Sequence, residues 1–495
     1  MTGAPVVPAK DLRAIIGGAM LAMFLAALDQ TIVAPALPAI ARDLGDFALI
    51  SWIVTAYLLT GTCVTPIVGK LSDLYGRRRI LGASLLLFMV GSALCALASD
   101  MVLLIVARGL QGIGGGGLIP IAQTVIADVV SPRERGRYAG HFAVVWASAA
   151  LLGPVVGGVL TEAYGWSWIF WINLPLGAVA LLVADRALRR LPIEPRRAPI
   201  DFASSALLSG ATIALLLVLS LGGKRLPWTA PETLALAAAA LGLGALFGRR
   251  QARSSEPILP PRFLTDRVIA PVLAASFLLY GSYLAIVVLT PIYLQVALGR
   301  PAGETGLLMI PLILTSTLTA NFAGRYSQRT GRYKGTFMVG VPIAVAGMAL
   351  LAALAAHLSP LGAAAVLLVV GAGIGPTFPS STLAVQNAVG RGDLGTVNGA
   401  LAFTRALGAA ILIAAVSALV LGLAADALPA AQSLEDLTRQ ALPASARAAV
   451  TGAFAIAFAA VTAALLVALA ILTRVEERPL GDQPGIRRTP ADRRS

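Results

Sequence analysis

One feature limits this chain more than any other: apolar blocks of about 20 residues, the length a helix needs to cross a hydrocarbon core roughly 30 Å thick, recur between short charged loops. Fourteen such blocks lie at about 14–36, 50–69, 80–98, 101–128, 138–160, 167–187, 201–221, 231–248, 269–296, 304–323, 335–355, 361–387, 396–423 and 449–472. In lipid every backbone polar group must be satisfied within the span, so the expected fold is an all-α integral membrane protein with 14 transmembrane helices. Composition excludes a soluble alternative. Of the 495 residues 57% are hydrophobic and 13% charged, against about 25% charged in an ordinary soluble domain.

The net charge of +14 suggests a nucleic-acid partner only until the charges are located. Thirty of the 38 Lys and Arg residues lie in the two tails and the even-numbered loops, span ends included, and six lie in the odd-numbered loops. Basic residues gather on the cytoplasmic side, so both termini are expected there and no nucleic acid is implied. Lys10 and Arg13 ahead of an apolar run, with "APA" at 34–36, imitate a secretory leader. The run is long enough to span, however, and reads as a retained first helix. Cys63 and Cys95 fall inside apolar blocks and read as buried fillers rather than a disulfide.

A weak repeat is visible. "GKLSDLYGRRR" (69–79) follows the second block and "GRYSQRTGRYK" (324–334) the tenth, aligning Gly69 with Gly324, Gly76 with Gly331 and Arg77 with Arg332. Secondary transporters are often built from repeated halves. The expected division is an N-tail at 1–13, a six-helix half at 14–187, a linker with two inserted helices at 188–268, a second six-helix half at 269–472 and a C-tail at 473–495. That tail is short and basic, and disorder is expected of it.

Two charges stand inside the blocks of the first half. Asp29 is about 15 residues into the first block, roughly 22 Å from the basic face, and Arg108 is about 7 residues below the outer end of the fourth, at similar depth. A charge at mid-bilayer costs about 2.5–3.5 kcal/mol on insertion scales, so such groups pair or face a polar interior. Either the two form a permanent pair fastening blocks one and four, or Asp29 gains and loses a proton in a water-accessible cavity while Arg108 tunes it. Gln111 and Gly112 share the helical face of Arg108, which makes Gln111 a candidate substrate contact. Arg405, in the thirteenth block, has no acid between Leu394 and Ala425 to pair with; it either contacts backbone carbonyls or attracts an anionic substrate group. Trp146 and Tyr57 either line a cavity or pack.

Glycines and prolines mark the moving parts. Gly69 and Gly76 permit a tight turn and close packing, while Arg77, Arg78 and Arg79 hold their loop at the cytoplasmic face. Gly153, Pro154, Gly157 and Gly158 in the fifth block allow close approach and a kink, either as a hinge or as generic packing. Two separate histidines, His141 and His357, and no Gly-rich loop ending in Lys-Ser/Thr leave no metal site, no cofactor and no nucleotide site in view.

Five motifs together resemble the major facilitator superfamily, and in particular its fourteen-span drug:proton antiporters: "GKLSDLYGRRRI" (69–80), "LDQTIVAPALP" (28–38), "RGLQGIGGGG" (108–117), "ALLGPVVGG" (150–158) and "GWSWIFWINLP" (165–175). The chain departs from the pattern at Ala149 and Ser167, where relatives carry glycine and a basic residue. The resemblance implies two six-helix halves with two extra helices between them. It implies proton coupling through Asp29 and Arg108, and a gate of Gly69, Asp73, Gly76, Arg77, Arg78 and Asp128 in which Asp73 faces a helix end of the other half while Arg77 pairs with Asp128. Gln328 stands where the first repeat has Asp73, so the second latch should be weaker. Without an acid in the thirteenth block, a neutral or singly charged amphipathic compound is expected rather than a dication. The expected function is export of hydrophobic or amphipathic small molecules in exchange for protons, by a protein that is not an enzyme and works as a monomer in a bacterial plasma membrane. The alternatives are a proton-coupled metabolite symporter, an integral membrane enzyme and a non-transporting sensor.

Overall fold

The computed structural model describes residues 9–46, 49–189, 201–222, 227–425, 437 and 443–481. Among them are fourteen helices long and apolar enough to cross a bilayer. Their main segments are α1 (Ala9–Ile32), α2 (Ile50–Tyr75), α3 (Arg77–Ala96), α4 (Met101–Val129), α5 (Pro132–Tyr164), α6 (Asn173–Leu188, in the span Trp168–Leu188), α7 (Phe202–Leu221), α8 (Pro231–Gln251), α9 (Ile269–Val296), α10 (Ala302–Thr330), α11 (Lys334–Leu354), α12 (Pro360–Ile374, in the span Pro360–Ala388), α13 (Leu394–Ala424) and α14 (Ala444–Thr473). Helix α1 begins inside the expected N-tail. It continues through the 3-10 turn Ala34–Ala36, where Pro35 removes a donor, into a short helix Leu37–Leu44. Helix α12 is likewise broken, resuming after Gly375 and Pro376 as Thr377–Ala388.

Local signals start and stop these helices. Asp100 caps α4 by accepting from the Leu103 amide at 2.8 Å, and Ser131 with Glu134 forms a capping box at α5 behind Pro132. Gly76, at φ +90°, makes the abrupt turn from α2 into α3 that a side chain would strain. Around the bundle, Leu86, Val106, Leu151, Val155, Leu241 and Phe322 are exposed, a surface suited to lipid rather than water. The protein is a multi-pass membrane protein.

Helices α1–α6 pack on one another, as do α9–α14, and the groups meet most extensively at two crossings, α2 with α13 and α5 with α10, with further contact of α13 on α4 and of residues 377–388 on α5. At both crossings bare backbone meets bare backbone. A Cβ on Gly69 would strike the Gly395 carbonyl oxygen, and one on Gly324 would strike that of Gly136. Helices α7 and α8 pair with each other, and α7 leans on α2 and α13. Arg250 of α8 holds the Asp201 carboxyl, just ahead of α7, down to about 2, so this clasp stays ionised at ordinary pH. The segment after α8 crosses the same seam: Glu256 bonds Lys70 of α2 at 2.5 Å, and Arg262 bonds Asp393 ahead of α13 at 2.8 Å. Above it, Leu208, Phe247, Ile258 and Phe403 close a small apolar cluster against Ile67.

The C-tail corrects an expectation. Residues 475–481 are seated against the bundle, with the Leu480 amide donating to the Gly331 carbonyl at 2.9 Å and Arg478 paired with Asp266 at 3.2 Å. The Arg133 amide, at the start of α5, donates to the Gly481 carbonyl at 3.2 Å, so the segment touches both groups. Local composition pointed to disorder, but Val475 and Leu480 find apolar cover that only the assembled bundle provides. The rest of the tail, 482–495, lies outside the described residues.

Candidate functional site

Asp29 and Arg108 meet. One carboxylate oxygen accepts from Arg108 Nη1 at 2.8 Å, and the other accepts from Gln111 Nε2 and Asn173 Nδ2, both at 2.9 Å. Arg108 also donates to the Ile53 carbonyl at 3.2 Å and to Gln111 Oε1 at 2.6 Å, with its guanidinium 4.3 Å from the centre of the Tyr57 ring. Ser92 of α3 ties the cluster together, accepting from Gln111 and Asn173 and donating to the Phe170 carbonyl at 2.9 Å. Helices α1, α3, α4 and α6 thus each contribute a polar group. Close approach makes this feasible: a Cβ on Gly91 would lie 2.5 Å from Gln111 Cα.

The site bears on two expectations. Asp29 is 0% exposed and Arg108 1%, so the pair is sealed, as the fastening-pair reading has it, and does not stand in the water-accessible cavity of the other reading. Gln111 was a candidate substrate contact, but both ends of its amide are consumed by Asp29, Arg108 and Ser92. Asn173 and Ser92 were not singled out from the sequence. The only signal for Asn173 was its place in "GWSWIFWINLP", a motif whose turn Trp168–Trp171 sets Phe170 and Asn173 against the ion pair.

A second cluster lies at the end of the bundle that carries the basic loops. Asp73 of α2 accepts from the Gly395 amide at 2.9 Å and from the Thr396 amide and hydroxyl, each at 2.6 Å, at the N-terminus of α13, where the helix dipole favours an anion. Arg77 bonds Asp73 at 2.5 Å and Asp128 at 2.9 Å, and donates to the Arg391 carbonyl at 3.2 Å. At the α5–α10 crossing the polarity is reversed. Arg133 donates to the Gln328 and Arg329 carbonyls, each at 2.7 Å, placing a cation on the C-terminal turn of α10. Between the crossings, Gln386 Nε2 donates to Asn398 at 3.0 Å, and Asn398 Nδ2 donates to the Thr124 hydroxyl at 2.8 Å. These buried partners were not read from the sequence, because amides and hydroxyls are unremarkable until the fold brings them together. Arg78, expected at the gate, bonds Asp185 of α6 at 2.7 Å instead, within the first group.

The remaining candidates are scattered. Gly153 and Gly157 face Thr31 and Ile32 of α1, and Thr31 donates to the Ala149 carbonyl at 2.9 Å. Gly158 faces nothing within 4 Å, so a close-approach role does not extend to it, and α5 runs unbroken through Pro154. Trp146 is half-buried, packed on the small cluster of Ala27, Leu28 and Ala149. Among the described residues Arg405 donates through Nη2, to Ser381 Oγ at 2.6 Å, the Phe378 carbonyl at 3.0 Å and Thr382 Oγ1 at 3.4 Å.

Comparison with known proteins agrees with this architecture. The family model of the Major Facilitator Superfamily matches residues 19–413. The chain is 35% identical over 396 residues to the multidrug transporter protein MdtP of Bacillus subtilis, covering 80% of this chain and 72% of that one. It is 31% identical over 394 residues to multidrug resistance protein 3 of the same organism, covering 80% and 77%. Among solved structures, the human organic anion transporter MFSD10 superposes with a TM-score of 0.64 at 18% identity, covering 94% of this chain and all of that one, a likeness of fold. A fourteen-helix bundle crossed at two glycine seams, matched over most of its length, makes the chain a membrane transporter belonging to the major facilitator superfamily.

Proposed function

We propose that this protein exports hydrophobic or amphipathic small molecules in exchange for protons, by alternating access, as a monomer in a bacterial plasma membrane with both termini cytoplasmic. Helices α1–α6 and α9–α14 act as two halves with α7 and α8 inserted between them. The likeness to the multidrug transporter MdtP and to multidrug resistance protein 3 supports the substrate class, and the excess of basic residues in the tails and even-numbered loops supports the orientation.

One observation carries the coupling: a fully buried carboxylate on α1 bonded to a fully buried guanidinium on α4. Protonation of Asp29 would cancel the charge that Arg108, Gln111 and Asn173 hold, leaving Arg108 unpaired in a dry site. That state is costly, so protonation must accompany a rearrangement that admits water or substrate. The interface at the basic end provides the second state: Asp73, Arg77 and Asp128 with Gly69 and Gly76 form the latch that parts when the cavity faces the cytoplasm. Inverted vesicles energised with a proton gradient test the assignment. Asp29→Asn, close in shape and unable to cycle charge, should abolish gradient-driven uptake of substrate while the protein still elutes as a folded species. Undiminished transport by this variant removes Asp29 from the mechanism, and substrate moving with protons rather than against them identifies a symporter.

A further inference from the structure

Helices α9–α14 carry one acid, Glu304 in the first turn of α10, so a half-buried cation among them has no carboxylate within its own group of helices to meet. Arg405 is such a cation. Arg77 and Arg108 each bond a carboxylate, whereas the acceptors of Arg405 among the described residues are two hydroxyls and a carbonyl, all reached through one nitrogen. A guanidinium carries five N–H donors in a rigid fork suited to two parallel bonds with a carboxylate. Its direction is set by the helix. Asn398, about two turns earlier on the same face of α13, bonds both Gln386 of its own group and Thr124 of α4, so this face lies where the two groups meet, and from it Arg405 reaches the helix Thr377–Ala388. Beside it stands an aromatic wall, with Phe378 packed edge-on to Tyr280 and Tyr283 at centroid distances of 5.9 and 5.3 Å.

We infer that Arg405 is an anion subsite, binding the carboxylate or another delocalised oxyanion of an aromatic amphipathic substrate whose rings lie against Tyr280, Tyr283 and Phe378. The inference deepens the exporter reading and takes from it only that a substrate enters between the halves. A cationic compound at the same place meets an unneutralised positive charge, and Asp29, the acid deep in the first six helices, is sealed and already bonded.

Three probes of one shape separate charge from fit: 2-naphthoate, the neutral 2-naphthamide and the 2-naphthylmethylammonium cation. Their binding to the purified full-length protein is measured by titration calorimetry with no proton gradient present. Naphthoate should bind about tenfold or more tighter than the ammonium compound, the scale of a charge-assisted hydrogen bond. Arg405→Gln should erase the preference for naphthoate over naphthamide, and Arg405→Lys should retain part of it. Wild-type protein that fails to bind naphthoate, that prefers the ammonium probe or ranks the two equally overturns the subsite, as does a carboxylate preference that survives Arg405→Gln. Should Arg405→Gln not elute as a folded species, Arg405→Lys decides alone: its loss of naphthoate affinity must exceed its loss of naphthamide affinity. Proton coupling is read separately from Asp29→Asn transport, so that reading can fail while naphthoate binding persists, and the reverse.

Discussion

Around Asp29, donor count decides whether burial is tolerable. Removing an ion pair from water costs several kcal/mol per ion, and only good geometry with satisfied lone pairs offsets it. Here the carboxylate receives three donors and the guanidinium adds a carbonyl and an aromatic face. Arg108→Leu leaves the carboxylate buried and unpaired, and should destabilise the protein by about 3–5 kcal/mol, seen as a lower thermal unfolding midpoint in detergent. Adding Asp29→Leu should recover most of that loss, since a well-packed apolar pair needs no counterion. A single variant as stable as wild type would mean that the pair contributes nothing to the fold. The two charges were legible in the sequence because an ion in an apolar block is conspicuous. Asn173 and Ser92 were not, because neutral polar residues are ordinary there and only the packing of α3 and α6 brings them to the carboxylate.

Among the elements, the N-terminus of α13 is the part that holds the two groups together. Three donors and the helix dipole converge on Asp73, which also pairs with Arg77, itself held by Asp128. Asp73→Asn should raise the population separated at the basic end about tenfold or more, read as a longer distance between spin labels on the ends of α2 and α13. The Lys70–Glu256 pair, with Glu256 one-third exposed, is screened by solvent and worth at most about 1 kcal/mol, so Glu256→Gln should move the same distribution less. If Glu256→Gln opens the seam more than Asp73→Asn does, the inserted linker and not the helix end is the stronger tie. Block length made the fourteen helices legible, because a span leaves little choice of conformation in lipid. The breaks at Ala34–Ala36 and at 375–376 were missed, although Pro35 and Pro376 stand there, because average hydropathy continues through them.

For the molecule as a whole, the tail is the tie no local signal announced. Residues 475–481 bridge α5 to the ends of α10, α11 and α12, and a chain stopped after Arg474 loses that bridge. The shortened protein should show faster amide exchange over 331–336 and a lower unfolding midpoint; unchanged exchange there would mean that the segment rests on the surface without holding it. The two glycine crossings bear on speed rather than strength. Where Gly69 lies on Gly395 and Gly324 on Gly136 the contact is backbone on backbone, so parting these faces breaks the polar ties beside them, at Asp73 and Arg133, without having to unlock bulky apolar side chains at the glycines themselves. A machine that must change sides on every turnover is thereby spared the friction of repacking along the two lines where it opens.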